Sequence, residues 1–319
     1  MDEQDVRDGV RLTNLDEQLF DGAGVTKREL VDYLDGVAGR MVPVVADRPL
    51  SVVRVRPGQA PFMQKNLPSY APEWIRTVAI PARASHREVR YALCDDRRTL
   101  LWLANQRAVE YHPQLFRGTA WDRPTHLVLD LDPPEDSGFA VAAAAAQLVR
   151  RVLDGVGMAG AVKTSGAKGV HVFVPLDGSA GAEDVAAATR AVAARAERLD
   201  PALATTAFIR DDRGGKVFLD STRVGGATVA AAYSPRVRPG VPVSFPLGWH
   251  QLDEVSPREF TVRTALERLG GGDPWRELMP APQGLDADLV AEGHTIPVAR
   301  VQAMHEGKRR KRAAARPDE

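Results

Sequence analysis

The clearest alternation of hydrophobic and polar residues lies between His126 and Asp132. Leucine occupies every second position from Leu127 to Leu131, and Asp130 and Asp132 share the intervening positions at the end. Because successive side chains on a strand point to opposite faces, this pattern predicts a strand with leucines in a core and both carboxylates on the other face. The carboxylates would repel each other over about 7 Å unless a cation lay between them. The pattern therefore favours a divalent-metal site, with a solvated Asp-rich turn as the alternative.

Hydrophobic spacing predicts helices and strands that interleave along the chain without a repeat. Predicted helices are Lys27–Ala38, Thr99–Gln106, Phe139–Asp154, Ala182–Leu199 and Ser256–Leu269. Predicted strands are Ser51–Arg56, Phe62–Lys65, Trp74–Ile80, Val89–Cys94, Val109–His112, Ala161–Ser165, Val172–Val174, Lys216–Ser221 and Ala227–Tyr233. The helix start puts Lys27 in an exposed first turn, and the hairpin formed by the first two strands presents Arg54 and Lys65. The acidic first ten residues predict disorder.

A glycine turn follows the predicted strand that ends at Ser165. Gly166 and Gly169 bracket Lys168, and His171 leads into the next apolar run. Two glycines let the backbone approach an anion closely, and a lysine between them adds a positive charge. The turn therefore predicts a phosphate cradle, whereas a plain hairpin turn with an exposed lysine is the alternative.

A third carboxylate and two arginines extend this chemistry. Asp220 lies among apolar residues, where a carboxylate is costly to bury unless it is paired or metal-bound. Arg236 and Arg238 are separated by a single valine and flanked by prolines, which suits bidentate phosphate contacts. Three carboxylates that hold one or two divalent ions beside a phosphate cradle indicate nucleotidyl transfer.

Length, composition and charge limit the size class, the binding partners and the location that the sequence is compatible with. The chain has 319 residues, 44% of them hydrophobic, which predicts a globular protein with two lobes. Its 42 Lys and Arg balance 42 Asp and Glu, so local patches rather than an overall field would have to bind a polyanion. No secretion signal or long apolar run is evident, so we expect no membrane association and a cytoplasmic location.

At this point three motifs resemble the archaeo-eukaryotic primase superfamily, and most closely the polymerase domain of bacterial ligase D of non-homologous end joining and its stand-alone actinobacterial relatives. The matching segments are Leu129–Pro133, Ser165–His171 and Phe218–Asp220. The resemblance implies an α+β (mixed α/β) fold, with a primase-like core whose RRM-like βαβ sheet packs against a second α/β lobe. It implies a domain at 11–300, divided into lobes at 11–120 and 121–270 and an extension at 271–300, followed by a basic tail at 301–319.

The resemblance also implies a function. Such a protein is a template-dependent polymerase of DNA repair that adds ribonucleotides or deoxyribonucleotides to 3′-OH ends at short gaps or double-strand breaks. It implies two-metal catalysis with Mn²⁺, or else Mg²⁺, and a nucleoid-associated monomer. The implied partners are gapped or broken DNA, NTP or dNTP, Ku and a separate DNA ligase.

Roles carried over from the family fall on individual positions of this sequence. The catalytic and metal-binding carboxylates are Asp130, Asp132 and Asp220. The nucleotide-binding residues are His112, Ser165, Lys168, His171, Arg236, Arg238, Lys65 and Arg54. The DNA-binding residues are Lys27, which would grip the 5′-phosphate of a gap, Phe62 and Asn14.

The sequence departs from the family in three places. Glu17 stands where relatives usually carry a lysine, which predicts a weaker 5′-phosphate preference. Phe62 and Met63 stand where relatives often carry an aromatic pair before the lysine of the basic hairpin, which weakens the case for base stacking there, and the residues after Asp220 lack the usual aromatic residue and asparagine. Two other functions remain alternatives: a non-catalytic DNA-end-binding module, and a phosphatase of the haloacid dehalogenase type, whose motif also begins with Asp-x-Asp.

Overall fold

Two β-sheets with helices packed against them organise the chain. A computed structural model describes residues 5–82, 87–225 and 228–298. In chain order its elements are β1 (Val6–Arg7), β2 (Val10–Arg11), α1 (Lys27–Val45), β3 (Leu50–Arg56), β4 (Gln59–Gln64), β5 (Thr77–Ala82), β6 (Arg87–Ala92), α2 (Arg97–Asn105), β7 (Ala108–Pro113), β8 (His126–Asp132), α3 (Phe139–Gly155), β9 (Ala161–Thr164), β10 (Val170–Pro175), α4 (Ala182–Leu199), β11 (Ala204–Thr205), β12 (Val217–Asp220), β13 (Pro246–Leu247), α5 (Ala265–Leu269), α6 (Pro274–Leu278) and α7 (Ala287–Thr295). The predicted α+β fold class is confirmed.

Strands β3 to β7 form the sheet of the N-terminal half, and α1 and α2 pack together beside it. Helix α1 begins with the capping box that its sequence predicts: Thr26 N–H donates to Glu29 Oε2 at 2.8 Å, and Glu29 N–H donates to Thr26 Oγ1 at 3.3 Å. The helix continues to Val45 because its apolar stripe, which includes Leu34 and Met41, stays buried beyond the predicted end.

The second sheet has the strand order β11-β12-β8-β10-β9-β13. Its four central strands follow the chain path β8-α3-β9-β10-α4-β12, and each helix connects two parallel strands that have a third, antiparallel strand between them. This is the split βαβ arrangement of RRM-like folds, as expected. Helices α3 and α4 pack against these strands and against each other. Their alanine-rich faces are buried, which allows close approach to the sheet.

The strand register creates a row of polar side chains across this sheet. Asp130 on β8 pairs with Asp220 on β12 and with His171 on β10, and His171 pairs with Lys163 on β9. Directly paired residues point to the same face of a sheet. Four polar side chains therefore line up on one face, in the interior of the protein.

Three predicted segments differ from the structure. Residues 6–10 belong to the β1–β2 hairpin rather than to a disordered end, because Arg7 pairs with Asp32 at 2.7 Å and with Asp35 at 3.2 Å on α1. The predicted strand Ala227–Tyr233 is not a strand over its described residues, 228–233. Its apolar side chains are buried in an irregular segment that reaches a positive φ of 68° at Tyr233.

The predicted helix from Ser256 to Leu269 is also interrupted. A short 3-10 turn spans Pro257–Glu259, and α5 begins only at Ala265, because a β-bridge pairs Thr261 with Pro242. The predicted basic tail lies outside the described residues. Within the described part of the chain, no helix combines the length and the apolar character needed to cross a membrane.

Candidate active site

The three predicted aspartates lie near one another at one end of β8. Asp220 on β12 is directly opposite Asp130, and Asp132 ends β8 two residues further on. Asp130 and Asp220 are buried, with 8% and 6% of their surface exposed, whereas Asp132 is exposed. The structure thus combines two interior carboxylates with one at the surface.

The pKa values of two of these carboxyl groups move in opposite directions. Burial acts to raise the pKa of Asp130, but the neighbouring His171 and Arg223 outweigh it and hold that pKa well below its usual range. Partial loss of hydration beside the surrounding protein, followed by the negative charge of Asp130, raises the pKa of Asp132. Asp130 is therefore the firmly ionised member of the pair.

A cation that the sequence patterns did not single out lies between two of the aspartates. Nη2 of Arg223 is 2.7 Å from Asp130 Oδ2 and 2.8 Å from Asp220 Oδ2. The backbone N–H and the hydroxyl of Thr222 donate to the other oxygen of Asp220, at 2.8 and 2.6 Å. The buried carboxylates are thus paired with a positive charge, as buried charges must be.

The donor set at this position fits a divalent metal ion, although the side chains are not arranged around one. Across residues 5–82, 87–225 and 228–298, no group of three or more His, Cys, Asp or Glu side chains is placed so that it could hold a metal. Carboxylate oxygens are nevertheless the ligands that Mn²⁺ and Mg²⁺ prefer. Asp130 and Asp220 both contact the guanidinium of Arg223, which shows that a single cation can bridge the two carboxylates.

A hydrogen-bonded row continues from Asp130 across the sheet. Nε2 of His171 is 3.2 Å from Asp130 Oδ1, and Nδ1 of His171 is 2.6 Å from Nζ of the buried Lys163. Lys163 Nζ also donates to Ala230 O at 2.8 Å and to Ser244 Oγ at 2.6 Å. Burial and the charge of Lys163 lower the pKa of His171 to about 4. Both ring nitrogens of His171 are therefore engaged within the protein.

The glycine turn between β9 and β10 brings its backbone close to the end of β8, whereas the sequence predicted a close approach to an anion. Ser165 Oγ accepts hydrogen bonds from the backbone N–H groups of Ala167 at 3.2 Å and Gly169 at 3.1 Å, and Lys168 is exposed. A Cβ atom on Gly169 would lie 2.4 Å from the carbonyl oxygen of Leu131. Only glycine fits where this turn crosses the end of β8.

Glu110 connects two predicted nucleotide-binding residues. Its Oε2 is 2.8 Å from Nε2 of His112, and its Oε1 accepts from the N–H of Val237 at 2.8 Å and lies 3.2 Å from Nε of Arg236. Burial opposes ionisation of Glu110, but His112 and Arg236 outweigh it and lower its pKa to about 2. Arg236 also donates to the carbonyl of Ser165. Alternation along β7 puts Glu110 and His112 on one face, a signal that the sequence already contained.

A cleft of about 520 Å³ opens beside these groups. Its lining includes the predicted residues Asp132, Ser165, Lys168 and Arg238, and it adds Arg210, Arg213 and Lys216. The three added cations come from the segment between β11 and β12, which carries no motif in the sequence. A cleft with several positive side chains beside carboxylates suits a polyanionic ligand.

Comparison with known proteins identifies the family. The family model for the LigD primase-polymerase domain matches residues 26–275. The chain belongs to the LigD primase-polymerase domain family.

Relatives of this LigD domain are longer proteins. The chain is 32% identical over 293 residues to the bifunctional non-homologous end joining protein LigD of Bacillus subtilis, covering 90% of this chain and 46% of that protein. It is 35% identical over 271 residues to the multifunctional non-homologous end joining DNA repair protein LigD of Mycobacterium tuberculosis, covering 82% and 35%. The chain thus spans less than half the length of these relatives.

A solved structure of the same family is similar over nearly its whole length. It is the polymerase domain of Mycobacterium tuberculosis ligase D in complex with DNA. The match has a TM-score of 0.77 and 33% identity, and it covers 85% of this chain and 99% of the other.

The basic hairpin of this LigD domain is less exposed than its sequence predicted. Only 7% of Arg54 is exposed, because β3 is paired on both sides and Arg54 donates to Gln106 O and to Gln64 Oε1, each at 2.7 Å. Lys65 is exposed, and 37% of Phe62 is exposed on β4. Two of the three predicted hairpin residues thus remain accessible.

Lys27 is buried rather than exposed in the first turn of α1. Its Nζ donates to the carbonyl of Thr13 at 2.5 Å and to Asn105 Oδ1 at 2.7 Å, and 2% of the residue is exposed. The N-terminal segment folds back over the helix start, which covers a position that helical periodicity alone leaves open. Burial, followed by the charge of Arg107, lowers the pKa of Lys27 to about 8.

Glu17, the departure from the family pattern, has a partner that the sequence did not indicate. A guanidinium nitrogen of Arg107 contacts Glu17 Oε2, and another donates to the carbonyls of Gln18 and Leu19 at 2.9 and 3.0 Å. Asn14, a predicted DNA-binding residue, is exposed in the same segment with a φ of 52°. The negative charge of Glu17 is thus balanced locally.

Proposed function

We propose that this LigD-family domain is a template-dependent nucleotidyltransferase of DNA repair that adds nucleotides to 3′-OH ends at short gaps or broken DNA ends. The observation that carries the proposal is the juxtaposition of Asp130, Asp132 and Asp220 with a cation-lined cleft. Carboxylates for a divalent metal and cations for a triphosphate are the two requirements of phosphoryl transfer. The DNA complex of the related polymerase domain supports DNA as the second substrate.

The three aspartates would hold one or two divalent metal ions, Mn²⁺ or else Mg²⁺. A metal bound there supplies positive charge to the attacking and leaving oxygens of an in-line displacement. His171 contributes by orienting Asp130, to which its Nε2 is hydrogen-bonded. In this proposal His171 acts on the carboxylate and not directly on the triphosphate, since Lys163 engages its other nitrogen.

The triphosphate would lie against the cation-lined side of the cleft. Lys168 and Arg238 are exposed there, and Ser165 lies at the base of the same glycine turn. Arg236 is held by Glu110 and by the Ser165 carbonyl, so its guanidinium is already oriented. Through Glu110 the position of His112 is linked to that of Arg236. Lys216 adds a cation at the same cleft.

DNA contacts are proposed for the N-terminal half. Phe62 and Lys65 are exposed and available to a primer or template strand, whereas the buried Arg54 would support the hairpin from beneath. Asn14 is exposed near Lys27, whose role at a 5′-phosphate would require that its present bonds to Thr13 and Asn105 be exchanged for phosphate contacts.

The alternatives are not favoured. In a phosphatase of the haloacid dehalogenase type the first aspartate is the nucleophile, but here Asp130 is buried and bonded to both His171 and Arg223. A binding module without catalysis has no use for three carboxylates gathered beside a cationic cleft. Membership of the LigD primase-polymerase family also speaks against both.

The deciding experiment is primer extension on a duplex with a short gap, with Mn²⁺ and with ribonucleotides or deoxyribonucleotides supplied separately. We expect template-directed addition by the wild type and at least about a hundredfold loss in Asp130→Asn, since metal contacts contribute several kcal/mol to the barrier. Asp253→Asn removes an exposed carboxylate from another surface and serves as the matched control.

Two outcomes would contradict the proposal. Extension by Asp130→Asn at the wild-type rate would remove the carboxylates from catalysis. Absence of extension by the wild type with Mn²⁺ and either kind of nucleotide, while gapped DNA is still bound, would favour the binding module. The same assay on gaps with and without a 5′-phosphate tests the role of Lys27. Lys27→Ala should reduce the rate of extension only on gaps that carry the phosphate.

A further inference from the structure

Arg223 has an unusual position in this molecule. It begins a short 3-10 turn, Arg223–Gly225, three residues after the end of β12, and one nitrogen of its guanidinium contacts both Asp130 and Asp220. Among the described residues its Nε, although buried, has no hydrogen-bond partner. The two carboxylates are thus the contacts that hold the guanidinium in the site.

The two aspartates need a cation in every state of the protein. They face each other on neighbouring strands and are both buried, so two uncompensated negative charges would repel strongly there. The oxygen atoms that Arg223 occupies, Oδ2 of each aspartate, are those that a shared divalent ion would also need. Arginine and metal cannot both bind these two oxygens in the same way.

We propose that Arg223 is a built-in counter-ion that binds Asp130 and Asp220 in the metal-free protein and is displaced when a divalent ion binds. The inference rests on the proposed function only in requiring that a divalent ion bind these carboxylates. Arg223 keeps the metal-free site ordered and offsets part of the negative charge of the two carboxylates. It also lowers the apparent metal affinity, because metal binding must first break two ion pairs.

Arg213, which lines the cleft beside the aspartates, offers a matched comparison. It also feels the charges of Asp132 and Asp220, but its guanidinium donates to the backbone carbonyls of Ala207 and Phe208 and lies 3.9 Å over the Phe218 ring. Replacing Arg213 therefore removes a nearby positive charge without freeing the oxygens of Asp130. Comparing replacement of Arg223 with replacement of Arg213 therefore distinguishes two effects: loss of a guanidinium bound to the carboxylates, and a general change in the electrostatic field.

The test measures Mn²⁺ binding to the whole chain without DNA or nucleotide. Binding is monitored through the electron paramagnetic resonance signal of the free ion. We expect Arg223→Met to bind Mn²⁺ about tenfold more tightly than the wild type, since a competing ion pair is removed. Arg213→Met should change the affinity much less, and Arg223→Lys should stay near the wild type. Without metal, Arg223→Met should melt at a lower temperature, and Mn²⁺ should restore more of its stability than it adds to the wild type.

Other results would overturn the inference. Weaker Mn²⁺ binding by Arg223→Met would mean that Arg223 organises the carboxylates for the metal, and equal gains in Arg223→Met and Arg213→Met would mean a field effect. If Arg223→Met does not fold, the Nε–H resonance of Arg223 in the wild type decides: its guanidinium rotation should become faster when Mg²⁺ is added, and no change would exclude displacement. Because these measurements use no primer, a failed extension assay would leave them interpretable.

Discussion

Lys163 is a fully buried lysine whose partners define its protonation state. Ala230 O can only accept a hydrogen bond, and Ser244 Oγ already donates to Thr164 O at 2.6 Å, so Lys163 must donate to both. Asp130 is ionised, so Nε2 of His171 carries the proton that faces it, and the neutral Nδ1 accepts a third hydrogen bond from Lys163. Burial lowers the pKa of Lys163, but each of the three protons of its ammonium group has a hydrogen-bond acceptor.

This hydrogen-bond count predicts the tautomer of His171 and the effect of losing Lys163. At pH 7 the ¹⁵N shifts of wild-type His171 should correspond to a protonated Nε2 and an unprotonated Nδ1. Lys163→Met should leave Nδ1 and the buried oxygens without a donor and lower the free energy of unfolding by about 1–3 kcal/mol, while Asp130 keeps the proton on Nε2. Lys65→Met, at an exposed lysine, is the control and should leave the free energy of unfolding unchanged. A protonated Nδ1 in the wild type would contradict the assignment.

At the level of elements, the glycine turn between β9 and β10 ties the cleft to the end of β8. Gly169→Ala would bring a Cβ to 2.4 Å from the backbone oxygen of Leu131, so the turn must shift. We expect a loss of about 1–3 kcal/mol in the free energy of unfolding, by urea titration, typical of overpacking. Gly39→Ala lies in the interior of α1 with open space around its Cβ and should instead stabilise by about 0.5–1 kcal/mol. Equal effects of the two substitutions would show that the close approach does not constrain the turn.

Elements with a strong local pattern were predictable, and those that depend on distant contacts were not. The alternation His126–Asp132 and the helix Ala182–Leu199 appear with the predicted bounds. The apolar segment Ala227–Tyr233 has the composition of a strand, but over its described residues 228–233 it packs as irregular chain, because its burial comes from elements far away in the sequence.

The candidate site divides in the same way. Asp130, Asp132 and the glycine turn could be found from spacing, and Asp220 from its position among apolar residues. Lys163 could not, because its place beside His171 depends on which strands pair and in which register. Arg223 and Arg107 were hidden for a related reason: each acts through a partner that folding brings near, and a lone arginine in a sequence usually indicates only a solvated surface.

At the scale of the whole molecule, hydrogen bonds join α1 to segments of the chain on both sides of β13. Tyr33 donates its hydroxyl to the carbonyl of Tyr233 at 2.8 Å, and Arg40 donates to the carbonyls of Gly270 at 2.6 Å and Gly272 at 2.7 Å. These bonds join residues about two hundred positions apart, so the N-terminal half is completed by residues near the end of the described chain. We therefore expect urea to unfold both halves together, without independent folding on either side of the predicted lobe boundary near residue 120.

The ion pair between Glu29 on α1 and Arg263 is the most easily tested of these long-range contacts. Arg263 Nε lies 2.6 Å from Glu29 Oε1, and this hydrogen bond lowers the pKa of Glu29 to about 2. A carboxyl group whose pKa is lower in the folded state stabilises the protein above its unfolded pKa and loses that contribution as the pH falls. The contribution should therefore be complete at pH 7 and decline from about pH 4.5 towards pH 2.

Glu29→Gln isolates this charge, because glutamine preserves the capping box with Thr26. Since both partners are partly exposed, we expect the variant to lose only about 0.5–1 kcal/mol of unfolding free energy at pH 7, and progressively less in urea titrations at pH 4 and pH 3. Glu259→Gln is the matched control: Glu259 also occupies a capping box and pairs with an arginine, Arg268, only nine residues away. The ion pair between Glu259 and Arg268 closes no long loop, so Glu259→Gln should lose less unfolding free energy than Glu29→Gln. A deficit in Glu29→Gln that stayed constant from pH 7 to pH 3 would mean that the amide disturbs the helix start, and that the charge of Glu29 does not join the two halves.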